Sequence, residues 1–465
     1  MRISKNNTAL FIGAGILACV LFSAVFFAFH ISQRATHPEI APVTKAEEDM
    51  ARSAYFTSLK SFPDASDLMP FSWPDASYAL DRPKDELEQA LGARSAILLD
   101  ASTGEVLLEK NADEQIPPAS MTKLVAMYTA FKAAAAGEIT FDDVVDLPSE
   151  SWAVNIPAGS SLMFLAQGQH VTVRELLLGI AIASGNDAAI ALAFHVSGSV
   201  ASFVDRMNAE MTRLGLTNTH FVEPSGLSEL NMTTAREFAD FARIYVEDFP
   251  EALKAFHSQT KLEYPMSWNL PAGSKETPVI QYATNKLLGT LEGCDGLKTG
   301  YIRESGYNLS LTAERGGTRF ISVTMGGPGS NSEAGSMIRS RDGSSLMEWA
   351  FNNYTTVKPE AIRPMDIPVW EGSQQGIEAI PAQSPSYTAP RAFGGETVAH
   401  VVIPKSLIAP IEAGDVIGRV EYRLNGVAVH TVPLIADRSV IKADAVSATL
   451  DRITRSFALL LHIID

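Results

Sequence analysis

Strand-like sequence stands at both ends of a long helical stretch, and this order restricts the fold more than any other feature of the chain. Residues 95–101 and 105–110 are apolar runs joined by Ser102-Thr103-Gly104, a hairpin signal. Strand character returns at 296–302, 307–313 and 319–326, with Gly316-Gly317 turning the last two. Between them the pattern is helical. A helix is expected over 121–136, after Pro117-Pro118. Thr172-Val173-Arg174-Glu175 is a capping box that opens an apolar helix ending near Ala183. Ser184-Gly185-Asn186 is a polar turn, from which Asn186 is expected to cap a helix running to Val196. Residues 207–214 and 234–246 are further helix candidates, and 336–351 forms a last one. Strands, helices, strands and a helix together predict one antiparallel sheet with a long helical insertion, an α/β (α+β) architecture.

The flanks have a different texture. Residues 34–80 carry Pro38, Pro42, Pro63, Pro70 and Pro74 with little periodicity, which reads as a linker with one short helix near 47–59. The main globular domain is expected over 81–356. From Pro359 onward prolines cluster, and short β-like runs follow at 397–403, 416–423 and 427–434. Asn425-Gly426 between the last two is a strong hairpin signal. A small all-β domain over 357–443 is therefore expected. Val446, Leu450, Ile453, Phe457, Leu460, Leu461 and Ile464 recur every three or four residues, the pattern of an amphipathic helix over 444–465. That helix has two possible partners, its own β domain or a membrane surface.

Residues 1–33 bear on the compartment. Arg2 and Lys5 precede an uncharged stretch whose apolar part, 8–31, would be roughly 36 Å long as a helix, enough to cross a hydrocarbon core. No small-x-small cleavage pattern stands at its end, so a retained anchor is favoured over a cleaved signal peptide. The preceding positive charge puts the remainder outside the cytoplasm. The formal net charge of −16 argues against nucleic acid as a partner. Two cysteines, Cys19 and Cys294, support neither a disulfide framework nor a zinc cluster.

Ser120-Met121-Thr122-Lys123 stands at the start of a predicted helix, where an i, i+3 spacing puts a hydroxyl and an amine on one face. Serine is a weak nucleophile and needs a base beside it, and lysine serves only when burial or a second cation keeps it neutral. Ser-x-x-Lys is a cheap pattern that recurs at Ser258–Lys261, and Ser-x-Asn occurs at both Ser184–Asn186 and Ser267–Asn269. Lys298-Thr299-Gly300 decides between them. It sits in strand-like sequence, and glycine on such an edge admits a substrate backbone. Ser258–Lys261 and Ser267–Asn269 lie too close together to converge from separate elements. Ser120, Ser184 and Lys298 are each separated by a long segment.

Ser-x-x-Lys, Ser-x-Asn and Lys-Thr-Gly in this order resemble the signature of the penicillin-recognising serine enzymes. The sequence is most similar to the low-molecular-weight penicillin-binding proteins, the D-alanyl-D-alanine carboxypeptidases of peptidase family S11. Supporting stretches are 118–123, 184–188, 214–221 and 295–301. The resemblance implies a β-lactamase/transpeptidase-like domain followed by a β domain and a membrane-surface helix. It implies removal of the terminal D-alanine from a peptidoglycan stem peptide ending in D-Ala-D-Ala, inhibition by β-lactams, and no metal or cofactor. On the same basis Ser120 is the nucleophile and Lys123 its base. Ser184 and Asn186 line the opposite side. Lys298 and Thr299, with Gly300, Tyr301 and Arg339, bind the substrate, and the N–H groups of Ser120 and Tyr301 form the oxyanion hole. The location implied is the periplasmic face of the cytoplasmic membrane.

Three positions depart from the family pattern: Ile302 where threonine is usual, Ser305 for alanine, and Glu237 for aspartate. Rival readings are a β-lactamase, an endopeptidase of the same fold, and a non-catalytic membrane-tethered scaffold. The class A β-lactamase loop Glu-x-x-Leu-Asn is not matched by Glu229-Leu230-Asn231, and the β domain argues against the endopeptidase.

Overall fold

The computed structural model describes residues 43–59, 81–274, 276–393 and 396–460, together with Val25. The N-terminal apolar segment otherwise lies outside the described residues, as do Leu461 and Ile464. Among the described residues no single helix is long and apolar enough to cross a membrane. The chain divides into two compact units. Helix α1 (Lys45–Leu59) belongs to the second of them.

In the first unit, helix α2 (Lys84–Ala90) leads into a five-stranded antiparallel sheet. Its strands are β1 (Ser95–Asp100), β2 (Val106–Lys110), β3 (Cys294–Ile302), β4 (Gly306–Arg315) and β5 (Thr318–Gly327), in the order β2-β1-β5-β4-β3. All six residues of β1 are buried, because helices cover both faces of the sheet. Alternate residues divide between two cores. Ile97 and Leu99 join one with Ile321, Val323 and Met325, while Ala96 and Leu98 join another with Leu309, Leu311 and Phe320. The β4–β5 turn is Gly316-Gly317, both with positive φ, as a tight hairpin requires.

The insertion supplies the helices of the first core. They are α3 (Thr122–Ala135), α4 (Val173–Leu178), α5 (Asn186–Ser197), α6 (Val200–Arg213) and α7 (Ala235–Asp248). The capping box at Thr172 and Glu175 opens α4, and five residues of π-helix, Gly179–Ala183, follow it. Asn186 does not cap α5. Gly185 holds the N-cap position and has no side chain to cap with, while the Asn186 side-chain carbonyl accepts from Lys123 Nζ. Helix α6 starts earlier than the 207–214 pattern suggested, capped by Ser199. Helix α8 (Ser332–Asn353) packs on the far face of the sheet through Leu346, Met347 and Ala350.

The second unit is a six-stranded sheet of β6 (Met365–Trp370), β7 (Gly376–Pro381), β8 (Val398–Val402), β9 (Leu407–Ile408), β10 (Val416–Leu424) and β11 (Val427–Ala436). Their order is β8-β10-β11-β7-β6-β9. Asn425 and Gly426 both have positive φ in the β10–β11 turn. Two features depart from the expected organisation. The short helix expected within the linker is present as α1, but it is packed on this sheet: Ala51 and Tyr55 are buried with Ile380, Ala382 and Ile435. The chain also returns to the first unit at 387–394, where Tyr387–Pro390 pairs antiparallel with Tyr354–Val357.

The terminal helix is α9 (Ala445–Leu460). It docks on its own unit by polar groups. Asp451 and Thr454 are buried, an Asp451 carboxylate oxygen accepts from the Glu371 N–H at 2.9 Å, and Arg452 pairs with Glu371 at 2.8 Å. Val446, Ile453 and Phe457 stay exposed.

Candidate active site

A cleft of about 540 Å³ opens between β3, the start of α3, the turn before α5 and the N-terminus of α8. Ser120, Ser184, Asn186, Thr299, Gly300, Tyr301 and Arg339 all line it. The structure thus brings together residues from four distant parts of the chain.

Ser120 lies not in the α-helix itself but in a 3-10 turn, Ala119–Met121, just before α3. Ala119 has a φ of 51°, a left-handed conformation costly for an L-residue. Two glycines let neighbouring backbone close on this turn. A Cβ on Gly226 would lie 1.9 Å from the Ala119 carbonyl oxygen, and one on Gly300 would lie 2.5 Å from the Pro118 oxygen. Asn308 adds a tether from β4, donating its Nδ2 to the Pro117 carbonyl at 3.0 Å.

At the start of α3, as its second residue, Lys123 is wholly buried. Its Nζ lies 3.0 Å from Ser120 Oγ and 2.6 Å from Asn186 Oδ1, and it also donates to the Ser225 carbonyl. Burial pushes this amine down to about 7, against the opposing pull of the Glu223 and Asp187 carboxylates. Ser184 holds a φ of 59° in the turn between the π-helix and α5. Across from it, Lys298 Nζ donates to Ser184 Oγ at 2.9 Å and to the Thr299 carbonyl at 3.0 Å. Burial drives Lys298 well below the ordinary lysine range, and the Lys123 and Arg339 cations add to this.

Thr299 donates its hydroxyl to Thr284 Oγ1 at 2.7 Å. Tyr301 is half exposed and stacks on Tyr307, with centroids 4.3 Å apart. Arg339 lies in the third turn of α8, not at its start. Its Nη1 donates to the Gly300 carbonyl at 3.4 Å, its guanidinium sits 5.8 Å from the Tyr307 ring centre, and burial pushes it down to about 10.

Sequence reasoning missed the groups that hold this set in place. Asp187 accepts from the backbone N–H groups of Met163, Phe164, Leu165 and Ala188, which pins the 159–165 loop over the start of α5. Glu223 accepts from Ser225, Gly226 and Asn231, shaping the loop that delivers the Ser225 carbonyl to Lys123. A carboxylate directly after Ser-Gly-Asn was the one available signal for Asp187. Neither Glu223 nor Thr284 had one. The competing motifs are structural. Lys261 is exposed and paired with Glu263, and Asn269 is buried against the His170 carbonyl at 2.8 Å. Glu229 is exposed and lines no part of the cleft.

A buried lysine held near neutrality beside a hydroxyl can activate that hydroxyl as a nucleophile, and the cationic far wall favours an anionic substrate end. The comparisons with known proteins agree with that chemistry. Residues 82–329 match the D-alanyl-D-alanine carboxypeptidase family model, Peptidase S11, and residues 351–442 match the penicillin-binding protein 5 C-terminal domain. The chain is 34% identical to D-alanyl-D-alanine carboxypeptidase DacC of Escherichia coli, over 76% of this chain and 85% of that one. It is 31% identical to DacF of Bacillus subtilis, over 81% and 93%. Among solved structures, penicillin-binding protein 5 of Haemophilus influenzae aligns with a TM-score of 0.64 at 31% identity, covering 76% of this chain and 98% of that one. The chain belongs to the S11 family of serine-type D-Ala-D-Ala carboxypeptidases.

Proposed function

We propose that Ser120 is the nucleophile and Lys123 the general base of this carboxypeptidase, acting on the stem peptides of peptidoglycan. The observation that carries this reading is the 3.0 Å contact between Ser120 Oγ and a buried Lys123 held at about 7. Ser120 Oγ attacks the carbonyl of the penultimate D-alanine and its proton passes to Lys123 Nζ. The N–H groups of Ser120 and Tyr301 receive the oxyanion, and losing one such donor costs about 3–4 kcal/mol of transition-state stabilisation. The intermediate collapses, the C–N bond breaks, and Ser184 relays a proton to the leaving amine. Lys298, Thr299 and Arg339 hold the carboxylate of the departing D-alanine. Water then hydrolyses the Ser120 ester. A β-lactam carries a strained amide and a carboxylate at comparable positions and acylates the same hydroxyl. Asn186 fixes the Lys123 amine through its 2.6 Å contact.

The test is intact-mass spectrometry of the protein with penicillin over time, together with assay of D-alanine released from a pentapeptide. A long-lived single adduct, absent in Ser120→Ala, with D-alanine release is expected. Rapid loss of the adduct with drug hydrolysis would point instead to a β-lactamase. The absence of both an adduct and D-alanine would leave a binding scaffold.

The enzyme works at the cell envelope, on the outer face of the cytoplasmic membrane. The exposed Val446, Ile453 and Phe457 of α9 support a membrane-surface role, since the helix meets its own unit through Asp451 and Thr454. The N-terminal apolar segment would serve as signal or anchor. Removing residues 446–465 should lower sedimentation with phospholipid vesicles and leave soluble D-alanine release intact. Unchanged sedimentation would end the role given to α9.

A further inference from the structure

We propose that Thr284 donates a hydrogen bond to the terminal carboxylate of the substrate and so sets how strongly this enzyme separates an acid from a neutral C-terminus. The inference rests on the reading that the Lys298 end of the cleft receives that carboxylate. Thr284 lies two residues past the end of the strand Val279–Tyr282, and both its neighbours are anchored. The Ala283 N–H donates to the Thr260 carbonyl at 2.9 Å. Buried Asn285 donates to the Gly296 carbonyl of β3 at 3.3 Å and accepts from the Leu287 N–H at 3.1 Å. The segment is thereby tied to the strand that carries Lys298 and Thr299, and Thr284 keeps a defined position in the cleft wall.

The donors at this end are unevenly committed. Lys298 spends two of its three N–H groups on Ser184 Oγ and the Thr299 carbonyl. Arg339 gives one to the Gly300 carbonyl and another to Ser336 Oγ at 3.5 Å. The Thr299 proton goes to Thr284 Oγ1 at 2.7 Å. A hydroxyl that accepts still has its own proton to give, and among the described residues the Thr284 proton has no acceptor. Ile302, which lines the same cleft, has nothing to donate. A carboxylate arriving beside Thr299 therefore meets the Thr284 hydroxyl as a free donor. The Thr299→Thr284 bond polarises that hydroxyl and strengthens the bond it makes.

The experiment compares wild type, Thr284→Val and Thr284→Ser on a peptide ending in D-Ala-D-Ala and on its C-terminal amide. Valine keeps the shape and removes the donor. The ratio of kcat/KM for acid over amide should fall roughly tenfold or more in Thr284→Val, mainly through KM on the acid. Thr284→Ser should restore it, and turnover of the amide should barely change, which also reports an intact fold. An unchanged ratio, or equal losses on both peptides, would overturn the assignment of Thr284. Wild type that treats acid and amide alike would instead overturn the carboxylate reading itself, and the inference with it.

Discussion

Two serine–lysine pairs face each other across the cleft. Ser120 and Lys123 stand 3.0 Å apart on the helical side, and Ser184 and Lys298 stand 2.9 Å apart between the insertion and the sheet. Both amines are buried, and burial lowers both. Their surroundings pull in opposite directions. Lys123 has the carboxylates of Glu223 and Asp187 nearby, which restrain its fall to about 7. Lys298 has Lys123 and Arg339, two cations that drive it further down. The first amine can exchange a proton near neutral pH without outside help. The second holds its charge at a cost that an incoming carboxylate would relieve. On the mechanism proposed above, matching distances accompany different work: Lys123 takes the nucleophile's proton, while Lys298 meets the substrate's charge and Ser184 beside it passes a proton to the leaving amine.

The hardest test of this division is Ser120→Ala beside Ser184→Ala. The first should abolish covalent labelling by penicillin entirely, and the second should slow it while leaving a full-stoichiometry adduct. Labelling that survives in Ser120→Ala would exchange the roles of the two pairs. Next in size is Lys298→Ala, expected to reduce kcat/KM on an acid-terminated peptide by roughly a hundredfold, in line with losing a charge-assisted bond. A similar loss on the amide would deny Lys298 a carboxylate role. The pH dependence is smaller and has two opposed parts. Lys123 acts as a base only when neutral, so penicillin acylation should rise with pH through about 7, and at pH 6 stand near a tenth of its plateau. A profile flat from pH 5.5 to 8 would remove Lys123 as the titrating base. Lys298 must be charged to meet the substrate, and burial with two nearby cations depresses it, so the KM for the acid peptide should climb as pH rises, starting well below the ordinary lysine range. The smallest effect is expected from Glu223→Gln, which takes away one carboxylate near Lys123 and should move the acylation midpoint downward in pH.

Legibility in the sequence followed physical range. The hairpin at 95–110, the three strands near 300, the capping box at Thr172 and the Asn425-Gly426 turn rest on local pattern, and all appear in the structure. Strands β6 and β7 are not legible in the sequence, because Pro368 and Pro381 read as loop. Both prolines stand at the ends of the short β6–β7 and β7–β11 ladders, where a missing N–H costs least. Asn186 was legible as a polar residue at a helix start, but the partner that claims its amide lies 63 residues away in Lys123. The left-handed Ala119, the Glu223 loop and Thr284 depend on approaches between distant segments, which no local spacing records. The same holds for α9. Its periodicity is plain, yet only packing reveals that Asp451 and Thr454 face inward.

The short return of the chain at 387–394 has a consequence for anyone dissecting this protein. Cutting after Val357, where the first unit ends on a first reading, would strip the partner strand from Tyr354–Val357. It would also remove Thr388, whose hydroxyl donates to the buried Asp100 carboxylate at 3.0 Å. Asp100 would be left with an unfilled site at the end of β1. The catalytic half is therefore completed by residues encoded downstream, inside the span that would ordinarily be assigned to its neighbour. A deletion series or a gene fusion that treats the two halves as separable cassettes would carry that defect into every product.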